Sequence, residues 1–326
     1  MMQPPIETEL LSSELPDIEA PHGALPEAVV QGRSPYQLAW LRLRRDRVAM
    51  VSAGTIIFVI LLALLAPLIA HLTGHGVNEQ FHHIGETPDG APKGPNHIFW
   101  LGTDDQGRDL LVRAAYGARV SLLAGLIASA VAVVVGTVVG LSAGYLGRAI
   151  DTVLSRIMDI VLSLPYLLFA IALVAIVGPS LKIAIAVIAF FSWASVARIV
   201  RGQVLTLRER EFVEAARSLG ASSRRIMFVD VLPNVLAQIV VLASLLIPSA
   251  IVFEATLSFL GLGVPPPTPS WGNMISGSEN YYEAWWFLLV PSLLLLITTL
   301  AFNLFGDAVR DAFDPRGEML GNRGKE

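Results

Sequence analysis

The chain contains no cysteine, which excludes a disulfide framework and a thiolate metal site. Charge is scarce as well. Asp, Glu, Lys and Arg make up 15% of the 326 residues, where soluble domains carry about a quarter. No Gly-x-x-x-x-Gly-Lys-Ser/Thr segment occurs, so the phosphate-cradling loop of an ATPase is missing. No histidine stands near a nucleophile elbow, and no paired acid and base suggest an enzyme site. The first 35 residues lack the basic flank and apolar core of a secretory signal.

What is abundant is apolar length, with 54% hydrophobic residues. Uncharged runs of about 20 residues suffice to cross a bilayer. Such runs predict six helical spans: Val48 to Ala70, a stretch within Val120 to Gly147, Ile160 to Leu181, Ile183 to Ala197, Val231 to Phe253, and Ala284 to Gly306. The fourth is short unless Lys182 and Arg198 snorkel outward. The fold class is therefore an all-α polytopic membrane protein. Residues 1–47 read as a tail, acid- and proline-rich at first and ending in a basic amphipathic segment (Arg42, Arg44, Arg45, Arg47, with Trp40) on the membrane surface. Residues 48–72 form the first span, 73–116 an outer loop, 117–307 the main membrane domain and 308–326 a second tail.

Even span number puts both termini on one side. With 18 of the 23 basic residues on that side, the positive-inside rule makes it the cytoplasm. Tyr281, Tyr282, Trp285 and Trp286 read as an aromatic belt at the opposite face. Span two carries Ala124, Ala128, Ala132, Gly136, Gly140 and Gly144 at every fourth position, a stripe for close helix approach. Pro165, Pro248 and Pro291 favour kinks.

The outer loop holds His71, His75, His82, His83 and His97, but their spacing fits no ligand pattern and a solvated loop is the better reading. Leu101 to Leu110 is dense in Gly, Thr and Asp and predicts an ordered turn leading into a helix, a lid or docking element. Glu254 follows an apolar run of 23 residues. An acid there is either a group of the outer interface or a member of a translocation path.

The most informative stretch is a polar island, Arg198 to Pro233, with seven arginines. Arg198 to Leu219 can extend span four, with Phe212, Ala215, Ala216 and Leu219 on one face. Gly220 supplies a left-handed stop, Ser222 or Ser223 a cap for a second short helix, and Pro233 stands where span five begins. A helix, tight turn and helix facing the cytoplasm predict an element that docks a partner.

This island resembles the coupling loop of ATP-binding-cassette importer permeases. The family pattern is Glu-Ala-Ala, three residues, Gly, nine residues, Ile, one residue, Leu-Pro. It reads here as Glu214-Ala215-Ala216, Gly220, Asp230 in place of Ile, and Leu232-Pro233. Gly102-Thr103-Asp104, Gly107-Arg108-Asp109, Phe259-Leu260-Gly261-Leu262-Gly263, Trp271-Gly272 and Phe302-Asn303-Leu304-Phe305-Gly306-Asp307 look like the second permease subunit of oligopeptide/dipeptide importers. The resemblance runs from about Ser34 to Arg316. It implies a type I importer permease in a bacterial inner membrane, with no ATPase site of its own. The partners it implies are a second permease, two cytoplasmic subunits that bind ATP and Mg, and an extracytoplasmic peptide-binding protein, besides membrane lipid. Nucleic acid is a poor alternative. Relatives of such subunits also handle nickel chelates and glutathione-like molecules. An ion-gradient-driven secondary transporter is the alternative of a different class, with only Glu254 to support it.

Overall fold

The computed structural model describes residues 35–313. The N-terminal 34 residues and the last 13, which include the acid- and proline-rich segment and most of the second tail, lie outside the described residues. Twelve α-helices follow one another: α1 (Pro35–Arg45), α2 (Arg47–Leu64), α3 (Ala66–Thr73), α4 (Leu110–Leu146), α5 (Arg148–Ser163), α6 (Tyr166–Val177), α7 (Leu181–Leu207), α8 (Glu211–Ser218), α9 (Ser223–Arg225), α10 (Leu232–Phe259), α11 (Trp271–Gly277) and α12 (Trp285–Phe313). Among the described residues there are only isolated β-bridges, so the all-α reading holds.

Among the described residues five helices are long and apolar enough to cross a membrane, and the α5–α6 pair makes a sixth candidate if taken as one span. The expected third span, Ile160 to Leu181, is thus not one straight rod. α5 and α6 meet at 83°. Pro165 causes the break: its ring disfavours helical backbone at the preceding residue, and Leu164 is extended at ψ 131°. Pro248 and Pro291 behave differently. Both lie inside unbroken helices and are buried against neighbouring elements. Pro67 ends the first run early, since α2 stops at Leu64 and α3 restarts with proline in its first turn.

α4 and α7 form the densest packing among the described residues, and the small-residue stripe explains it. All six stripe residues of α4 are buried. A Cβ on Gly136, Gly140 or Gly144 would lie within 2.6–2.8 Å of Val196, the Ala197 carbonyl oxygen or Val204. Only hydrogen atoms leave room for that approach. α10 packs on α4 and α12, and α12 on α2, so the remaining spans gather around this pair.

The loop 74–109 folds as a cap, and its stretch from Leu101 to Leu110 makes the turn into α4 that its composition predicts. Asp104 Oδ1 accepts the backbone N–H groups of Gln106 and Arg108, each at 3.0 Å. Asp109 caps α4 by accepting from Leu111 N at 2.8 Å. The solvated-loop expectation fails for His75, whose side chain is only 11% exposed. Its ring packs on Phe81 and Phe99, and its Nδ1 lies 2.6 Å from Asp109 Oδ2. The partner acid stands 34 residues away in sequence, so spacing could not reveal it. The aromatic belt is also thinner than expected. Tyr282 and Trp285 are exposed, but Trp286 turns inward and donates to the Thr103 carbonyl.

Candidate coupling site

The polar island folds into three joined parts at the end of the bundle opposite the cap. α7 does not continue to Leu219 as expected. It ends at Leu207, and Arg208 to Arg210 turn the chain before α8 begins. The corner is pinned to the bundle, because Arg208 Nη1 donates to the Gly144 carbonyl at 3.2 Å.

α8 then shows two faces. Val213 is fully buried, joining Leu141, Val200, Val204, Ile226, Val231 and Ile239 in one apolar cluster, with Ala216 packed against it. Phe212 and Leu219 are 42% and 88% exposed, and Ala215 lies between them on the outside. The sequence put Ala216 on the outer face with those three; the structure turns it inward. What remains outside is an apolar stripe at helical spacing, and Glu214 and Arg217 are exposed as well.

Gly220 ends α8 at φ +80°. The N–H of Gly220 donates to the Arg217 carbonyl at 3.0 Å and that of Ala221 to the Ala216 carbonyl at 3.1 Å. These two bonds make a Schellman stop, which needs a left-handed residue at the position Gly220 occupies. Ser222 Oγ accepts from Arg225 N and starts α9, as expected. The second helix is not short, however. A π-helical segment, Ile226–Val231, carries α9 into α10 without a break, giving one helical element from Ser223 to Phe259. The Leu232 N–H reaches back to Met227. That wider turn helps α10 begin through Pro233, which has no N–H to give.

Asp230, where the family pattern has Ile, is partly exposed. Its carbonyl accepts from Asn234 Nδ2 at 2.7 Å. Ile226, Met227 and Val231 fill the core side of the same segment.

The arginines divide into two groups. Arg198 pairs with Asp159 (2.6 Å) and Arg201 with Asp151 through Nη2 (2.8 Å), tying α7 to α5. Arg210, Arg217, Arg224 and Arg225 have no ion pair among the described residues and remain exposed. Glu214 and Arg217 share a cleft of about 400 Å³ with Arg148 and Arg208.

Glu254 lies near the far end of α10 and is fully buried. Ser121 Oγ and Ser258 Oγ each donate to its carboxylate at 2.7 Å. Those hydroxyls in turn accept the backbone N–H groups of Trp271 (3.4 Å) and Val264 (3.1 Å). One carboxylate thus links α10 to α4 and, through the two hydroxyls, to Val264 and to the start of α11. Above it, Arg113 Nη1 donates to the carbonyls of Val77 and Pro267 and to Asn78, joining cap and segment. Beside it, burial and the neighbouring Asp104 push the Asp105 carboxyl above its usual range. Among the described residues no group of His, Asp and Glu is placed to hold a metal ion.

The family model for binding-protein-dependent transport system inner membrane components matches residues 136–318. The chain belongs to this family. A second model, the N-terminal membrane domain of oligopeptide transport permease C, matches residues 34–82. The chain is 42% identical over 297 residues to a dipeptide transport system permease of Alkalihalophilus pseudofirmus, covering 91% of this chain and 95% of that one. It is also 42% identical to the oligopeptide transport system permease OppC of Escherichia coli, covering 88% and 93%. Among solved structures, an inward-facing methionine ABC transporter, MetNI, has a chain that matches with TM-score 0.52 at 20% identity, over 61% of this chain and 96% of that chain. That likeness supports the fold of an importer permease. The chain is an importer permease subunit, as the resemblance implied.

Proposed function

We propose that this chain forms half of the path of an ATP-driven importer for oligopeptides or dipeptides. It works with a second permease, two cytoplasmic ATP-binding subunits and an extracytoplasmic peptide-binding protein in a bacterial inner membrane. Both tails and α8 face the cytoplasm, and the 74–109 cap faces outward. ATP and Mg belong to the partner subunits, and no covalent chemistry occurs on this chain. The peptide assignment follows from what the relatives transport. In this reading Glu214, Ala215, Ala216, Gly220, Leu232 and Pro233 build the coupling element. Glu254 bears on the outer end of the path through the segment it fixes.

One observation carries the coupling role. α8 presents Phe212, Ala215 and Leu219 to a partner, while Val213 on its other side is set in the apolar cluster shared by α4, α7 and α10. A groove that moved α8 would therefore move span helices with it. Rigid displacement of packed helices is a usual route for such switching.

The test replaces Leu219, which is 88% exposed and makes little of the core. Leu219→Asp should insert and fold normally, lose co-purification with the ATPase subunits and abolish uptake. Retained association and uptake would refute the assignment. The ion-gradient alternative is separated by energy source: uptake that survives an uncoupler but stops on ATP depletion excludes it.

A further inference from the structure

We propose that α1 is a binding surface for anionic phospholipid headgroups in the leaflet at its end of the bundle. The helix precedes the first span with no linker. Asp46 accepts from Val48 N at 2.8 Å and caps α2 directly after α1. One side of α1 is fixed to protein: Ala39 is buried, and Arg42 Nη1 donates to the Ala312 carbonyl near the end of α12 at 3.3 Å. The other side is open. Trp40 is 54% exposed and Leu41 39%, and Arg44, Arg45 and Arg47 are exposed with no acid paired to them among the described residues. The Arg44 guanidinium lies 4.7 Å over the Trp40 ring.

The chemistry selects the occupant. A span beginning at Arg47 holds α1 at headgroup depth, where an amphipathic tryptophan is favoured. Every basic residue of the cluster is arginine, whose fork matches a phosphate through two parallel hydrogen bonds. Stacking on Trp40 leaves the Arg44 N–H edge free for an oxygen acceptor. A lipid held there also buttresses the end of α12 through Arg42.

The inference rests on the membrane reading above. Reconstitution into nanodiscs shows the same lipid on both faces, so the result does not depend on which side the termini occupy. Failure to insert would instead strike the membrane reading itself. The full chain is placed in discs of phosphatidylglycerol and phosphatidylcholine in equal parts, and lipids retained after extraction are counted by native mass spectrometry. Each juxtamembrane basic residue contributes about a fivefold preference for anionic lipid. R44Q/R45Q/R47Q should therefore lower the phosphatidylglycerol preference on the order of a hundredfold, and R45Q alone about fivefold. R210Q/R224Q/R225Q removes as many exposed arginines elsewhere and should leave it nearly unchanged. An unaltered preference in both α1 variants overturns the proposal. So does an equal loss in the control, which would mean general charge attraction. An effect of the α1 arginines seen only with the ATPase subunits present would assign the surface to protein and overturn it too.

Discussion

Gly140→Ala tests whether the bundle is held by shape at its tightest point. The new Cβ would lie 2.6 Å from the Ala197 carbonyl oxygen and 2.8 Å from Val200 Cβ. Ordinary contact starts at 3.4 Å, so α7 must retreat by roughly 0.8 Å, a packing strain of the overfilled-core kind. Because the nearest atom is backbone, no rotamer change on α7 relieves it. Overpacking of this type destabilises by about 1–3 kcal/mol. Alanine offsets part of that through its helical preference, about 0.5–1 kcal/mol. Gly202 on α7 supplies the control, with nothing within 4 Å of an added Cβ. Gly202→Ala should be neutral or slightly stabilising. The assay is the midpoint of SDS unfolding for each purified variant in mixed micelles. Gly136→Ala alone should resemble Gly140→Ala, yet the double variant should fall short of additivity, since one retreat of α7 relieves both sites. Equal midpoints for Gly140→Ala and Gly202→Ala would refute the reasoning.

Two further outcomes follow from the stop of α8 and from the far end of α10. At Gly220, φ is +80° and the surroundings are open, so substitutions report backbone preference alone. Alanine should cost about 1–2 kcal/mol there and asparagine less. Proline, which also removes the bond to Arg217, should leave ATP hydrolysis without uptake. Wild-type uptake by Gly220→Pro would sink the coupling role. At the far end, Glu254→Ala leaves two buried serine hydroxyls without their acceptor and should destabilise by about 1–3 kcal/mol. It should also open the segment between α10 and α11 to proteolysis. Glu254→Gln keeps an acceptor and should stay near wild type; indistinguishable Ala and Gln variants would show that the tether does not hold that segment.

The parts legible in the sequence were those set by local chemistry. Apolar length located the long helices but not the break at Pro165 within the expected third span, and the four-residue stripe located the α4 contact face. Gly220 marked a left-handed stop because few other residues adopt that backbone readily. What was not legible depends on partners distant in sequence. Ala215 and Ala216 are chemically alike, and only the cluster of Leu141, Val200 and Ile239 decides which one faces inward. His75 looked solvated because Asp109 is 34 residues away. Glu254 stood out as an acid at the end of an apolar run. Its two hydroxyl partners could not be chosen from sequence, since Ser121 lies 133 residues before it.

The element from Ser223 to Phe259 connects the coupling site with Glu254. The sequence suggested a short helix beside α8 and then a separate span; the structure joins them through a π-helical turn. At 1.5 Å per residue this element is roughly 55 Å long. One end shares a core with α8 through Val213 and Ile226, and the other carries Glu254 and the segment it tethers. A tilt of roughly 5° over that length displaces the far end by roughly 5 Å, more than the reach of the hydrogen bonds around Glu254. A modest movement imposed on α8 would therefore be felt at the outer end either as a broken Ser121–Glu254 contact or as a bend within α10. Pro248, which gives no N–H in the middle of that helix, marks where such a bend requires least.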